Sequence, residues 1–370
     1  MRLPPPDVMA AWPEPNYVNP VTRGPALVIA ELIALSISTI CLVLRLYTRM
    51  YVLRNKTGWD DWIMVTAAIF GAGVTTCVVL AATRYGWDIH IWDLTFERMI
   101  VGRKISFAAQ ALFILATALA KISILISYLR IAPLDTWFRR FSVITIWFVG
   151  LVSIAFFVAL FTQCTPLSSY WDLITFDRDC IPEAPALLAQ ASSTALFDFI
   201  VWVLPLPTFY RAKLPLAQRL ALILLFSFGL VVVVSACVRA YWIHYVVQET
   251  YDVTWEGFHL WLWTAIEVQL GIICGCVPWL KSLFKKWGGR NNRRGSAGSG
   301  GGGGGGGGEV YRTYSGRQGT LSFKGGSVVR IDSFGKVSSH GGDRPGREQY
   351  IDLERYDDST VVNFVMATNM

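Results

Sequence analysis

The chain has 370 residues, of which 53% are hydrophobic and 16% charged, with a mean hydropathy of +0.43. A soluble domain holds about 45–50% apolar and about 25% charged residues, so this balance argues against an ordinary cytosolic enzyme and against a disordered chain. The formal charge of +7 leaves nucleic acid open until the basic residues are located, and the seven cysteines form no CxxC zinc pair and are too few for a disulfide scaffold.

Residues 1–24 are Pro-rich and polar, without the charged-then-apolar start of a signal peptide, so we expect an extracellular N-terminal segment. Seven apolar windows follow, at about 25–46, 62–82, 105–128, 142–162, 186–209, 219–245 and 256–280. Each is long enough for the roughly 20 helical residues that cross about 30 Å of hydrocarbon. In lipid such windows must satisfy their own backbone hydrogen bonds, which leaves helices or a closed barrel. A barrel needs period-two alternation, whereas stretches such as 220–234 are apolar on both faces. The fold class is therefore all-α: a polytopic membrane bundle of seven transmembrane helices over 25–286. From 287 to 370 the chain turns Gly- and Ser-rich with mixed charge and includes nine consecutive glycines at 300–308, which predicts a disordered cytoplasmic tail.

Orientation follows the Lys/Arg bias of short loops. The loops at 44–61, 129–141 and 210–219 and the start of the tail at 281–294 carry sixteen basic residues, among them Arg45, Arg49, Arg130, Arg139 and Arg140. The opposite side carries seven: Arg2, Arg23, Arg84, Arg98, Arg103, Lys104 and Arg178. The richer side is assigned to the cytoplasm, placing the N-terminus outside and the C-terminus inside, in the plasma membrane. The positive charge then reports orientation and calls for no nucleic acid. The sequon Asn55-Lys56-Thr57 falls inside and should stay unmodified.

Lys121, Asp198 and Glu267 are the telling residues. An ionisable group near the bilayer centre costs roughly 2.5–3.5 kcal/mol on insertion scales and is usually paired and inward-facing. Counted at 1.5 Å per residue from the outer window ends, the three lie at depths of roughly 24, 18 and 17 Å. One cation and two carboxylates at such depths suggest an intramembrane polar cluster, serving either as a ligand- or ion-linked switch or as a static ion pair. Glu31 is expected to face inward in the first window. Arg239, near the outer end of the sixth, is expected to snorkel to the interface. Pro205 and Pro207 should kink or end the fifth helix.

Cys164 and Cys180 bracket an outer loop. A disulfide there would close about 17 residues and contribute about 3 kcal/mol in an oxidising compartment; two free thiols are the alternative. Asp60 and Asp61 open the second window from the inner side, suited to capping the helix and to pairing with Arg45 or Arg49; a cytoplasmic switch near an effector surface is the alternative. No catalytic constellation stands out. The four histidines, His90, His244, His259 and His340, lack metal-ligand spacing, so we expect no metal and no enzyme.

A series of motifs runs along the chain: Arg45-Leu-Tyr-Thr-Arg49, Gly58-Trp59-Asp60-Asp61-Trp62, Lys121-Ile-Ser-Ile-Leu with Tyr128-Leu-Arg130, and Gln163-Cys164-Thr-Pro166 with Trp171 and Cys180-Ile181. It continues through Asp198, Leu204-Pro205, Asp252-Val-Thr-Trp255 and Trp263 with Glu267, Gly271-Ile-Ile-Cys274 and Pro278. In these the chain resembles the fungal rhodopsin-domain integral membrane proteins, the receptor-like seven-helix family of filamentous fungi. The motifs are specific through their order and spacing. They imply a receptor-like role, or membership of a secondary-metabolite gene cluster. The Cys-rich extracellular module of some members is not expected, since no Cys precedes Cys41. Nor does the family name imply light sensing. A retinal protein needs a Lys for its Schiff base, usually on the last helix. Here 256–280 contain none, Lys281 lies at the edge, and Lys121 is on the third window. We therefore expect no retinal and no other cofactor. The sequence reads as a receptor-like membrane protein whose partners are the lipid bilayer, an extracellular ligand and a cytosolic effector. A transporter, a channel or an accessory protein of a biosynthetic pathway is the alternative.

Overall fold

The computed structural model describes residues 5–52, 58–131, 136–172, 179–207 and 216–294, together with five short strands between 310 and 350. Seven of its helices are long and apolar enough to span a membrane. In chain order they are Ala26–Tyr47, Trp59–Arg84, Phe96–Ile131, Thr136–Phe161, Glu183–Val203, Leu216–His244 and Val253–Arg294. We call them the first to seventh spans. Asn55 lies outside the described residues, as do the glycines 300–308.

Each sequence window becomes one helix; the fourth starts earlier, at Thr136, and the seventh runs on to Arg294, past the expected 280 and into the stretch expected as tail, and two further shifts have physical causes. The third helix begins at Phe96, about two and a half turns before the apolar window, because Glu97, Arg98, Arg103 and Lys104 are sound helix formers although too polar for hydrocarbon. The fifth helix stops at Val203, short of the expected 209. Pro205 supplies no N–H to continue the ladder, although Leu204 before it keeps helical geometry.

The apolar surface faces outward. On the fourth span Ile144, Trp147, Phe148, Leu151, Ile154 and Val158 are exposed at helical spacing, a stripe that only lipid can cover. The first span shows the reverse face. Glu31, Ser38 and Arg45 recur every seven residues, or about two turns, and all three are buried against neighbouring helices. The second and third spans pack together, as do the third and fourth, the fifth and sixth, and the sixth and seventh; the first and seventh close the ring. The third span also contacts the fifth and seventh and is the most buried of all.

Two π-helical turns, Thr48–Val52 and Tyr245–Glu249, end the first and sixth helices. At the N-terminal face the loop after the second span turns at Gly86, whose φ of +73° suits glycine. The N-terminal segment is tied to this loop. Asn16 N–H donates to Asp93 Oδ1 at 2.8 Å, and Arg23 N–H donates to the Asp88 carbonyl at 3.0 Å. Cys164 and Cys180 face each other in a two-residue antiparallel pair and are disulfide-bonded, joining the two ends of the loop between the fourth and fifth spans.

The chain divides into two units, Met1–Arg294 and Gly295–Met370. The described residues of the second unit are strands Val310–Ser315, Gln318–Phe323, Val328–Ile331, Lys336–His340 and Gln349–Tyr350, paired antiparallel in chain order.

Candidate functional site

At the N-terminal face the ends of the third, fifth, sixth and seventh spans enclose a cavity of about 130 Å³. Trp87 forms part of its wall. Its ring fits between Gly102 and Gly257, where an added Cβ would stand 3.0 and 2.6 Å from the indole, and it meets Trp261 edge-on at 5.6 Å. Arg103 and Glu183 line the polar side with Tyr170. Arg103 donates from Nε and Nη2 to the Tyr170 carbonyl at 3.1 and 2.9 Å and reaches Glu183 at 3.6 Å. Tyr170 donates its hydroxyl proton to Glu183 Oε1 at 2.8 Å, and burial followed by the Glu183 charge pushes its phenol above the usual range. It therefore stays a donor. An aromatic stack lies at the same face. His90 lies flat between Trp92 and Trp255, at 4.4 and 3.9 Å, and meets Asp252 at 2.5 Å, while Arg23 covers the Trp255 ring at 4.4 Å.

Deeper, two ion pairs cross the bundle. Lys121 Nζ lies 3.1 Å from Asp198 Oδ1, linking the third and fifth spans. Arg239 Nε donates to Glu267 Oε2 at 2.6 Å, linking the sixth and seventh, and the Arg239 guanidinium covers the Phe113 ring at 4.4 Å. Lys121, Asp198 and Glu267 line one small cavity of about 40 Å³. Arg239 belongs to the wall of the upper cavity. The Arg239–Glu267 pair is thus the partition between the two spaces. Glu31 enters a separate chain of hydrogen bonds joining the first, second and seventh spans. Ser38 donates to Gln269 (2.6 Å), Gln269 to Thr75 (3.3 Å) and Thr75 to Glu31 (2.8 Å).

At the opposite face Arg45 and Arg49, one helical turn apart, meet Asp60 and Asp61, all four buried. Arg45 donates to Asp61 Oδ1 at 3.1 Å, to Asp60 Oδ2 at 3.0 Å and to the Gly275 carbonyl at 2.6 Å. Arg49 donates to Asp60 at 2.8 Å, bonds Asp61 as well, and packs its guanidinium on Trp279 at 4.0 Å. Arg130 reaches Asp60 Oδ1 at 3.3 Å from the end of the third span. Asp61 also accepts from the Gly58 N–H at 3.2 Å, so it caps its helix while binding both arginines. The cluster fastens the first, second, third and seventh spans at one point.

A profile of the fungal rhodopsin domain matches residues 44–286, which contain all of these clusters except Arg23, Glu31 and Ser38. The chain belongs to the fungal rhodopsin-domain family. Fugralins biosynthesis cluster protein 2 of Gibberella zeae is 26% identical over 261 residues, covering 68% of this chain and 63% of that protein. Wortmanamides biosynthesis cluster protein C of Talaromyces wortmannii is 25% identical, covering 60% and 61%. Receptor GIN3 of Arthrobotrys oligospora is 24% identical, covering 65% of this chain and 57% of that protein. The first two matches thus span about three fifths of those curated relatives. No solved structure matches the chain.

Within this fungal rhodopsin domain the structure sorts the sequence candidates by partner. Lys121 and Asp198 come together. Glu267 faces the same cavity but takes Arg239 as its partner. Arg239 does not snorkel: its side chain is 2% exposed, fixed by the carboxylate opposite. The pair had only a weak signal in the sequence: 239 and 267 lie on the two spans joined by the turn at 250–252, but counted from that turn 267 sits about one helical turn farther along than 239. Cys164 and Cys180 form the outer-loop disulfide, and Arg45, Arg49, Asp60 and Asp61 form one cluster. The Arg103–Tyr170–Glu183 group and the His90–Asp252 pair carried no comparable signal, because their partners are distant in sequence and sit in loops or helix ends. Among the described residues no group of three His, Cys, Asp or Glu could hold a metal.

Proposed function

We propose that this chain is a receptor-like sensor of the plasma membrane, with its N-terminal face outside and its C-terminus in the cytoplasm. A ligand enters the cavity at the N-terminal face and alters the packing around its floor. The observation that carries this reading is the position of Arg239. It lines that cavity, pairs with Glu267, and so borders the space that holds Lys121 and Asp198. A ligand that binds two helix arrangements with different affinity shifts their populations. The seventh span leads from Glu267 to Gly275, whose carbonyl accepts from Arg45, so the same helix reaches the charge cluster of the opposite face. There the basic turns meet anionic lipid or a cytosolic effector. The role assigned is binding and signalling, without catalysis and without retinal. The similarity to a protein named as a receptor supports it.

Deletion of the gene, with responses to surface and chemical cues and substrate uptake measured in parallel, tests the reading. Lost cue response with intact uptake is the expected result. Lost uptake with intact signalling would sink it in favour of a transporter. The relatives named for biosynthesis clusters support a second reading, a membrane accessory of a secondary-metabolite pathway. Under it the deletion changes metabolite output and leaves cue responses intact.

A further inference from the structure

The wall of the cavity at the N-terminal face is held unequally. The loop that supplies Trp87 and Leu94 is fastened to the turn that supplies Thr250 and Val253. Asp252 of that turn meets the His90 ring at 2.5 Å and accepts from the Ile91 N–H at 3.0 Å. Between the third and fifth spans the link is a single neutral one, Gln110 Nε2 donating to Gln190 Oε1 at 2.9 Å. Below it, among the described residues, the next polar link between these two spans is Lys121 to Asp198, about three helical turns deeper. Gln110 lines the cavity. Gln190 instead lines a crevice of about 20 Å³, bounded by Ile114 of the third span, Ser153 and Phe156 of the fourth, and Ser193 and Phe197 of the fifth. The two bonded amides therefore stand on either side of the boundary between the spaces.

The crevice has a cause in the packing. The fourth span rests on the third and, among the described residues, makes no extended contact with the fifth. Ser153 and Ser193 are small where bulky side chains would fill the gap. Beside them Ile154 and Leu196 are exposed on the surface that lipid covers, so the crevice opens on the bilayer. An amide–amide bond is a weak bar, and either amide can turn to bond a passing polar group instead.

We infer that the cavity is filled from the membrane: its ligand is an uncharged lipophilic molecule dissolved in the leaflet of the N-terminal face, and it passes between the fourth and fifth spans by parting Gln110 from Gln190. Hydrocarbon disfavours a charged group, so this route selects for neutral molecules. The inference deepens the receptor reading and rests on it for the consequence of entry, whereas the route itself stands on the geometry.

The test follows a thiol placed in the cavity of the full chain in lipid nanodiscs. Ser106→Cys puts it in the cavity wall, one turn from Gln110 on the third span. Two reagents of the same chemistry are compared: N-phenylmaleimide, which dissolves in lipid, and 4-maleimidobenzenesulfonate, which stays in water. Labelling is read at position 106 by peptide mass spectrometry, which separates it from the native thiols. Ser153→Trp fills the crevice from a position outside the cavity wall. It should remove most of the phenylmaleimide rate and leave the sulfonate rate and the unfolding temperature at the parent's values. Ser193→Trp repeats the block from the fifth span. Gln190→Leu removes the bar and should speed phenylmaleimide by roughly fivefold, the effect of one net hydrogen bond, without speeding the sulfonate. Phenylmaleimide labelling that both tryptophans leave unchanged, equal slowing of the two reagents by both, no gain from Gln190→Leu, or no phenylmaleimide labelling in the parent overturns the proposal. Failure of the receptor reading looks different. The deletion strain then responds normally to cues, while labelling at position 106 still depends on the crevice.

Discussion

Glu267→Gln would leave Arg239 buried with its charge unmatched, the situation in which losing one member of an ion pair is most costly. Breaking a buried pair in this way costs about 3–5 kcal/mol, whereas replacing both members with apolar residues is often neutral. Thermal unfolding in detergent should therefore show a large loss for Glu267→Gln and a much smaller one for Arg239→Met combined with Glu267→Leu. Equal losses in the single and double variants would mean that the two side chains do not act as a pair. The same residues show how much of the site the sequence discloses. Lys121, Asp198 and Glu267 are conspicuous alone, since a charge in an apolar window is expensive and needs a partner. Arg239 lies nearer a window end, where snorkelling is an equally good physical solution. Choosing between the two requires knowing that Glu267 stands opposite.

Among the elements, the long apolar helices were legible because lipid imposes a length and forbids unpaired backbone. Their ends were less so. The third helix extends beyond its apolar window because helix propensity does not stop at the hydrocarbon edge, and the fifth stops early at a proline. The loop between the fourth and fifth spans depends on a covalent link instead. Its disulfide joins residues 16 apart in sequence, at the base of a segment that includes Tyr170, a wall of the upper cavity. In the loop-entropy account such a link contributes about 3 kcal/mol. Cys164→Ser with Cys180→Ser should lower the unfolding temperature under non-reducing conditions. Added reductant should lower the wild type and leave the double variant unmoved. The signature that separates this from a cavity left by removing thiols is that insensitivity to reductant.

For the whole molecule, orientation links the two faces to their roles. The basic excess lies on the side of the Arg45–Asp60 cluster, and on that side Arg139 and Arg140 stand exposed at the start of the fourth span. On the N-terminal face two of the basic residues are engaged within the protein, Arg23 with Glu256 and Arg103 with Glu183. Arg84, Arg98 and Lys104 nevertheless stand exposed on the N-terminal face, so the proposed orientation rests on the excess of basic residues counted along the sequence. An epitope tag at the N-terminus should be detected on intact protoplasts, and one at the C-terminus only after permeabilisation. Asn55, on the inner side in this arrangement, should carry no glycan, so treatment with an endoglycosidase should leave the electrophoretic mobility unchanged. The reverse pattern of tags would turn the aromatic-walled cavity toward the cytoplasm. A ligand would then have to reach it from inside the cell, which fits a pathway accessory better than a sensor of external cues.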